Sequence, residues 1–183
     1  MHFPRLAGHR ARGQTLPLTA IIMVFLIMLM TTGIEVHERV YQRNVVEDSL
    51  QQATRSAAQT FDYAQFAANQ NGFVVEGGAV TKTGCASAPA NSARAIACQV
   101  FIANLQGMAR GLLETPEATA ERVAWTIYPG GSTQTCTFPA GRASVSSDRP
   151  LVCATLRPRM EGMLGWGEFS PQIDASEVLD RSQ

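Results

Sequence analysis

Few residues in this chain are equipped for chemistry, and their placement restricts what they can do. Cysteines stand at Cys85, Cys98, Cys136 and Cys153, with none of the C-x-x-C steps that clip zinc or form a dithiol redox pair. The three histidines are His2, His9 and His37, all near the N-terminus. Ser/His/Asp and Cys/His arrangements therefore lack a base in the body of the chain, and no His-and-carboxylate cluster proposes metal ligands. Gly77-Gly78 and Gly162-x-x-Gly165-x-Gly167 do not lie between a strand and a helix with phosphate-loop spacing. Fifteen acids always allow some carboxylate pair, but no recognisable frame orients one. The expectation is a protein that is not an enzyme and has no metal, cofactor or small-molecule substrate.

The cysteines fit a structural role better. An even number in an exported domain points to two disulfides, each worth typically ~2–4 kcal/mol. Four cysteines allow three connectivities. The sequential one, Cys85–Cys98 and Cys136–Cys153, is favoured by geometry. If the chain turns near Ser144–Val145, Cys136 and Cys153 fall directly opposite on antiparallel strands, within disulfide reach.

Export is implied by the elements that must carry these residues. Leu16 to Ile34 reads LPLTAIIMVFLIMLMTTGI, nineteen residues without a charge. As a helix it spans roughly 28 Å, close to the ~30 Å hydrocarbon core of a bilayer. Arg5, Arg10 and Arg12 precede it, and cationic flanks stay cytoplasmic. A cleaved secretory signal is the competing reading. The run exceeds the usual ~7–15 residues of such a segment, and Met30-Thr31-Thr32-Gly33 is a poor cleavage site. The reading is a single-pass inner-membrane anchor with the N-terminus cytoplasmic and the C-terminal domain periplasmic or extracellular.

Beyond the anchor, twelve basic residues face all fifteen acids, a net charge of −3, which offers no electrostatic reason to bind nucleic acid. From Glu35 to about Asn69 the chain has no proline or glycine and is rich in good helix formers. Val36, Val40, Leu50, Ala57, Phe61 and Ala64 fall on one side of that helix. Ile34, Tyr41 and Val45 form a second patch, and Glu35, Glu38, Arg39, Arg43, Glu47 and Asp48 supply the wet surface. Gly33 is the natural place for a bend, and Asn71-Gly72 the stop. Phe73 to Thr81 suggests a hairpin turning at Glu76-Gly77-Gly78.

A second helix is expected from about Ala93 to Leu113, with Cys98, Phe101, Ile102, Leu105, Met108, Ala109 and Leu112 packing as core. Val123–Tyr128, Thr133–Phe138 and Leu151–Leu156 read as antiparallel strands, with Pro139–Pro150 as a polar connection. A final strand or strand pair covers Glu168 to about Leu179, and Trp125 and Trp166 are expected to fill core. The fold class is α+β: a long N-terminal transmembrane and stalk helix, then a small head with one helix and an antiparallel sheet. The divisions are a basic cytoplasmic tail (1–15), a membrane helix (16–34), a helical stalk (35–70) and an exported globular head (71–183).

Arg12-Gly13-Gln14-Thr15-Leu16-Pro17-Leu18, the apolar run, Tyr41-x-Arg43-Asn44 and Leu50-Gln51-Gln52-Ala53 together resemble the N-terminus of the TadE/TadG-like family of the bacterial tight-adherence (Flp) pilus. Leu156-Arg157-Pro158 through Leu164-Gly165-Trp166-Gly167 resembles the proline-and-glycine connection near the end of TadE-like heads. The resemblance covers residues 12–60 well and the tail loosely. It implies a minor pseudopilin acting in pilus assembly or as a low-abundance subunit, with other pilin or pseudopilin subunits and pilus-assembly proteins as partners. Gly13 is the candidate processing position. Prepilins of the type IV class carry glutamate at the fifth mature residue, whereas cleavage after Gly13 would place Leu18 there. The chain is too short for the large adhesion-type domain common in TadG-like members.

Two other classes share parts of this pattern: a minor pseudopilin of a type II secretion or competence system, and an unrelated signal-anchored periplasmic binding domain. In the assembly reading the working residues form surfaces. Ala20, Met23, Ile27 and Met30 line one side of the membrane helix for lateral packing, with Gly33 as hinge.

Overall fold

The computed structural model describes residues 15–60, 79–108, 111–139 and 143–179. It is an α+β protein in which one long helix runs into a small head of helices and antiparallel strands. Helix α1, Thr15–Ala58, is 44 residues long, about 66 Å at the usual rise. Its hydrogen bonding continues through Gly33, and nothing lies within 4 Å of the position a Cβ would take there.

The two halves of α1 have different surroundings. Residues 17–30 are exposed throughout. From Glu35 onward one side is covered: Glu35, Gln42, Val46, Ser49, Leu50, Ala53, Thr54 and Ala57 are buried. The half expected to be a stalk is thus built into the head. The covered side also differs from the one the apolar pattern marked. Val36 and Val40 are exposed and Glu35 is buried, so the inner face is turned by roughly 50°. Apolar residues within one helix cannot tell which side a neighbouring segment will supply with hydrogen-bond partners for a charge. The expected continuation to Asn69, the stop at Asn71-Gly72 and the Phe73–Thr81 hairpin lie largely outside the described residues. Their described end is strand β1, Val80–Thr83, which pairs with a later strand.

Helix α2, Ala93–Gln106, starts where Ser92 Oγ accepts from Ala95 N–H at 3.1 Å. It buries Ala97, Cys98, Phe101 and Leu105 at three- and four-residue steps. It ends at Gly107, earlier than the expected Leu113. Leu112 instead forms a β-bridge to Met160. A short helix α3, Pro116–Ala120, follows, with Thr115 capping it and proline in its first turn.

The main sheet contains β1, β2 (Ala124–Tyr128), β5 (Leu151–Leu156) and β8 (Ile173–Val178), in the order β1-β2-β5-β8 with all pairs antiparallel. Trp125 lies opposite Ala154, and Leu156 opposite Ile173. These residues, with Ile127, Val152 and Ala175, join the buried residues of α1 and α2 in one core. Trp125 fills that core and is 0% exposed. The opposite face carries a second, smaller core of Cys136, Leu151 and Cys153. It lies under a two-stranded sheet of β3 (Gln134–Cys136) and β4 (Val145–Ser147), the latter inside the stretch expected to be a plain connection.

Both disulfides are sequential, Cys85–Cys98 and Cys136–Cys153. Cys136 and Cys153 do not, however, lie opposite each other on neighbouring strands as expected. Cys136 pairs across its ladder with Val145, and Cys153 with Thr126 and Ser176. The bond therefore joins two sheets rather than two neighbouring strands. The first bond ties the loop before α2 to its second turn. That loop is also held by Arg94, which is buried and donates to Gly84 O at 3.0 Å and Ser87 O at 2.7 Å. Glu121 accepts from Cys85 N–H at 3.1 Å and Ala86 N–H at 2.8 Å.

Candidate functional site where the apolar helix meets the head

A tightly bonded polar cluster lies where α1 leaves its apolar run. Strands β6 (Met160–Glu161) and β7 (Glu168–Phe169) form a short antiparallel ladder whose connecting loop is residues 162–167, Gly-Met-Leu-Gly-Trp-Gly. The ladder is firmly mounted. Met160 is fully buried, Leu113 N–H donates to Arg159 O at 3.0 Å, and Glu161 N–H donates to Gly111 O at 3.0 Å. Arg159 bonds Glu168 at 2.7 Å and lies 3.5 Å from Glu114, which also binds Arg122 Nε at 2.6 Å.

Glu35 connects α1 to this loop. Its carboxylate is 1% exposed, an arrangement that requires partners because an isolated buried charge is very costly. Oε2 accepts from Leu164 N–H at 3.0 Å, and Oε1 accepts from Arg39 Nε at 2.7 Å, one helical turn further on. The Leu164 N–H and then the Arg39 guanidinium hold the Glu35 pKa below its ordinary value, against the opposing effect of burial. Arg39 reaches the other end of the loop, donating to Gly167 O at 3.1 Å with its guanidinium carbon 4.9 Å from the Phe169 ring centroid. Gly162 fits the same contact, since a Cβ there would collide with Glu35 Oε1 and force the carboxylate or the loop to shift.

This clamp presents apolar side chains outward. Met163 is 55% exposed, Leu164 40% and Trp166 54%. Trp166 therefore does not fill core as expected. The loop backbone is bonded to Glu35 at Leu164 N–H and to Arg39 at Gly167 O, and the indole lies exposed on it. The glycine pattern was visible in the sequence, but the partner it closes on was not. Glu35 was assigned to the wet surface because its own helix offers it only Arg39.

The other candidate residues are placed as follows. Ala20, Met23, Ile27 and Met30 are all exposed, with no part of the described chain covering them. Gly13 lies outside the described residues. Thr31 and Thr32 hydroxyls bond back to Ile27 O at 3.0 Å and Met28 O at 2.7 Å, so their polarity is satisfied within the helix. A helix including Pro17–Ala58 is long and apolar enough to cross a membrane. Among the described residues no group of three or more His, Cys, Asp or Glu side chains converges. A shallow groove of about 130 Å³ between the main sheet and β3 offers threonine hydroxyls, Tyr128 and Phe138 but no acid, amine or imidazole.

Comparison of the chain with protein-family models, curated proteins and solved structures returned no match.

Proposed function

We propose that this protein is a membrane-anchored, minor pseudopilin-like component of a tight-adherence pilus, acting in assembly or as a low-abundance subunit. It is read as structural rather than catalytic. In this reading α1 crosses the inner membrane once, with the arginine-bearing tail in the cytoplasm and the head outside. The observation that supports it is the division within α1. An apolar half, uncovered over residues 17–30, continues without a break into a half buried in a disulfide-bonded head. Such a part suits side-by-side assembly, in which apolar helices pack laterally and heads face outward. The face of Ala20, Met23, Ile27 and Met30 is the proposed packing surface, with pilin and pseudopilin helices as its partners.

Surface shearing and crosslinking test the reading. A pilus component appears in sheared surface fractions or crosslinks to pilins through the 20–30 face. A protein found only in the inner membrane without such crosslinks would be a solitary anchored domain. Crosslinks to components of a secretion or competence system would move it to that class.

A further inference from the structure

We propose that the 162–167 loop is a second membrane contact. Met163, Leu164 and Trp166 enter the headgroup–acyl boundary of the bilayer that α1 spans, held at that depth by Glu35 and Arg39. This rests on the reading of α1 as an anchor.

Depth is the first argument. Side chains on a helix lean toward its N-terminus, so the Glu35 carboxylate lies over the preceding turn, on the membrane side of its own Cα. Leu164 N–H is 3.0 Å from that carboxylate, which sets the loop level with the last turn of the apolar run ending at Ile34. Thr31 is also the first residue along the described helix to be partly covered, after an exposed stretch over 17–30.

Composition is the second. The loop has no charge and exposes three large apolar side chains, one of them tryptophan. Indole favours the membrane–water interface, where its ring is in an apolar layer and its N–H stays hydrated. Charge returns at once on either side of the loop. Glu161, Glu168 and Arg159 are exposed on the hairpin, and His37 is exposed on α1. An apolar tip with charged shoulders, beside the end of a membrane span, has the layering of a lipid interface.

Rigidity is the third. The tip is held outward by a buried carboxylate, a guanidinium that reaches Gly167 O, and a glycine whose Cβ would collide with Glu35. Its exposed apolar surface is held in place by these contacts with α1.

Tryptophan fluorescence of the full chain in phosphatidylcholine–phosphatidylglycerol vesicles tests this. Trp125 is fully buried and serves as the background, and Trp166→Phe isolates the second signal without touching the core. The expected result is that nitroxide placed high on the acyl chain quenches the Trp166 component by roughly half or more, while aqueous iodide leaves it largely unaffected. A Trp166 component quenched by iodide and untouched by lipid nitroxide overturns the proposal. So does one shielded from both, which would indicate a second copy or another subunit on the loop. If the chain does not float with the vesicles, the anchor reading fails as well. Flotation with an iodide-accessible Trp166 defeats only the loop contact.

Discussion

Glu35 and Leu164, 129 residues apart in the chain, are joined by a 3.0 Å hydrogen bond between a buried carboxylate and a backbone N–H. Through it the base of the head is registered to one turn of α1, immediately after the uncharged run ends. Arg39 adds a second connection to the same loop at Gly167 O. The head cannot slide or rotate on the helix without breaking both.

Gly162→Ala tests that registration. The added methyl would collide with Glu35 Oε1 and crowd its Cδ, so the carboxylate or the loop must move. Overpacking of this kind costs typically ~1–3 kcal/mol. Thermal unfolding of the full chain in detergent should report a lower midpoint. Gly131→Ala is a poor control because of its positive φ, whereas Gly33→Ala has open space and should cause no loss.

Acid should weaken the head through its stabilised carboxylates, Glu35 and Glu114 among them. The Leu164 N–H and Arg39 lower the Glu35 pKa, and Arg122 does the same for Glu114. The folded state thus binds these protons less readily than the unfolded state. Their stabilisation is fully present above the ordinary value of 4.5 and is lost as pH falls below it through the folded-state values. The unfolding midpoint should drop as the pH falls below about 4.5, and more shallowly in Glu35→Gln. An identical pH slope in that variant would remove Glu35 from the account.

The two disulfides should differ in what their loss releases. They close separations of 13 and 17 residues, so each should contribute a similar ~2–4 kcal/mol. Replacing Cys136 and Cys153 with serine should free β3–β4 while the β1-β2-β5-β8 ladder persists. Replacing Cys85 and Cys98 should loosen the loop before α2. Amide hydrogen exchange, mapped by segment, checks both patterns.

Leu50→Ala and Val40→Ala test the buried face of α1. Leu50 is fully buried and should cost ~2–5 kcal/mol. Val40, on the exposed side, should change stability by no more than ~0.5 kcal/mol. Denaturant unfolding of both variants provides the comparison, and equal losses would restore the face marked by the apolar pattern alone.

The amino-acid sequence alone was sufficient for features that depend on local composition. An uncharged run of nineteen residues is apolar whatever surrounds it, and α2 and β2 are legible because their periodicity repeats over several residues. The strands that carry Cys136 and Cys153 are legible in the sequence, but their membership of two different sheets is not. Strand β4 is only three residues long, too short for a pattern, and its partner strand identifies it.

Tertiary structure alone decided the burial of Glu35, the exposure of Val40 and Trp166, and the bridging of two sheets by Cys136–Cys153. The reason is the same in each case. Whether a group is buried depends on what meets it, and a carboxylate becomes a core residue once a distant loop supplies an N–H and an arginine faces it. Arg39 stands one helical turn away and is visible in the sequence, but Leu164 is 129 residues distant, beyond what any helical or strand period can register.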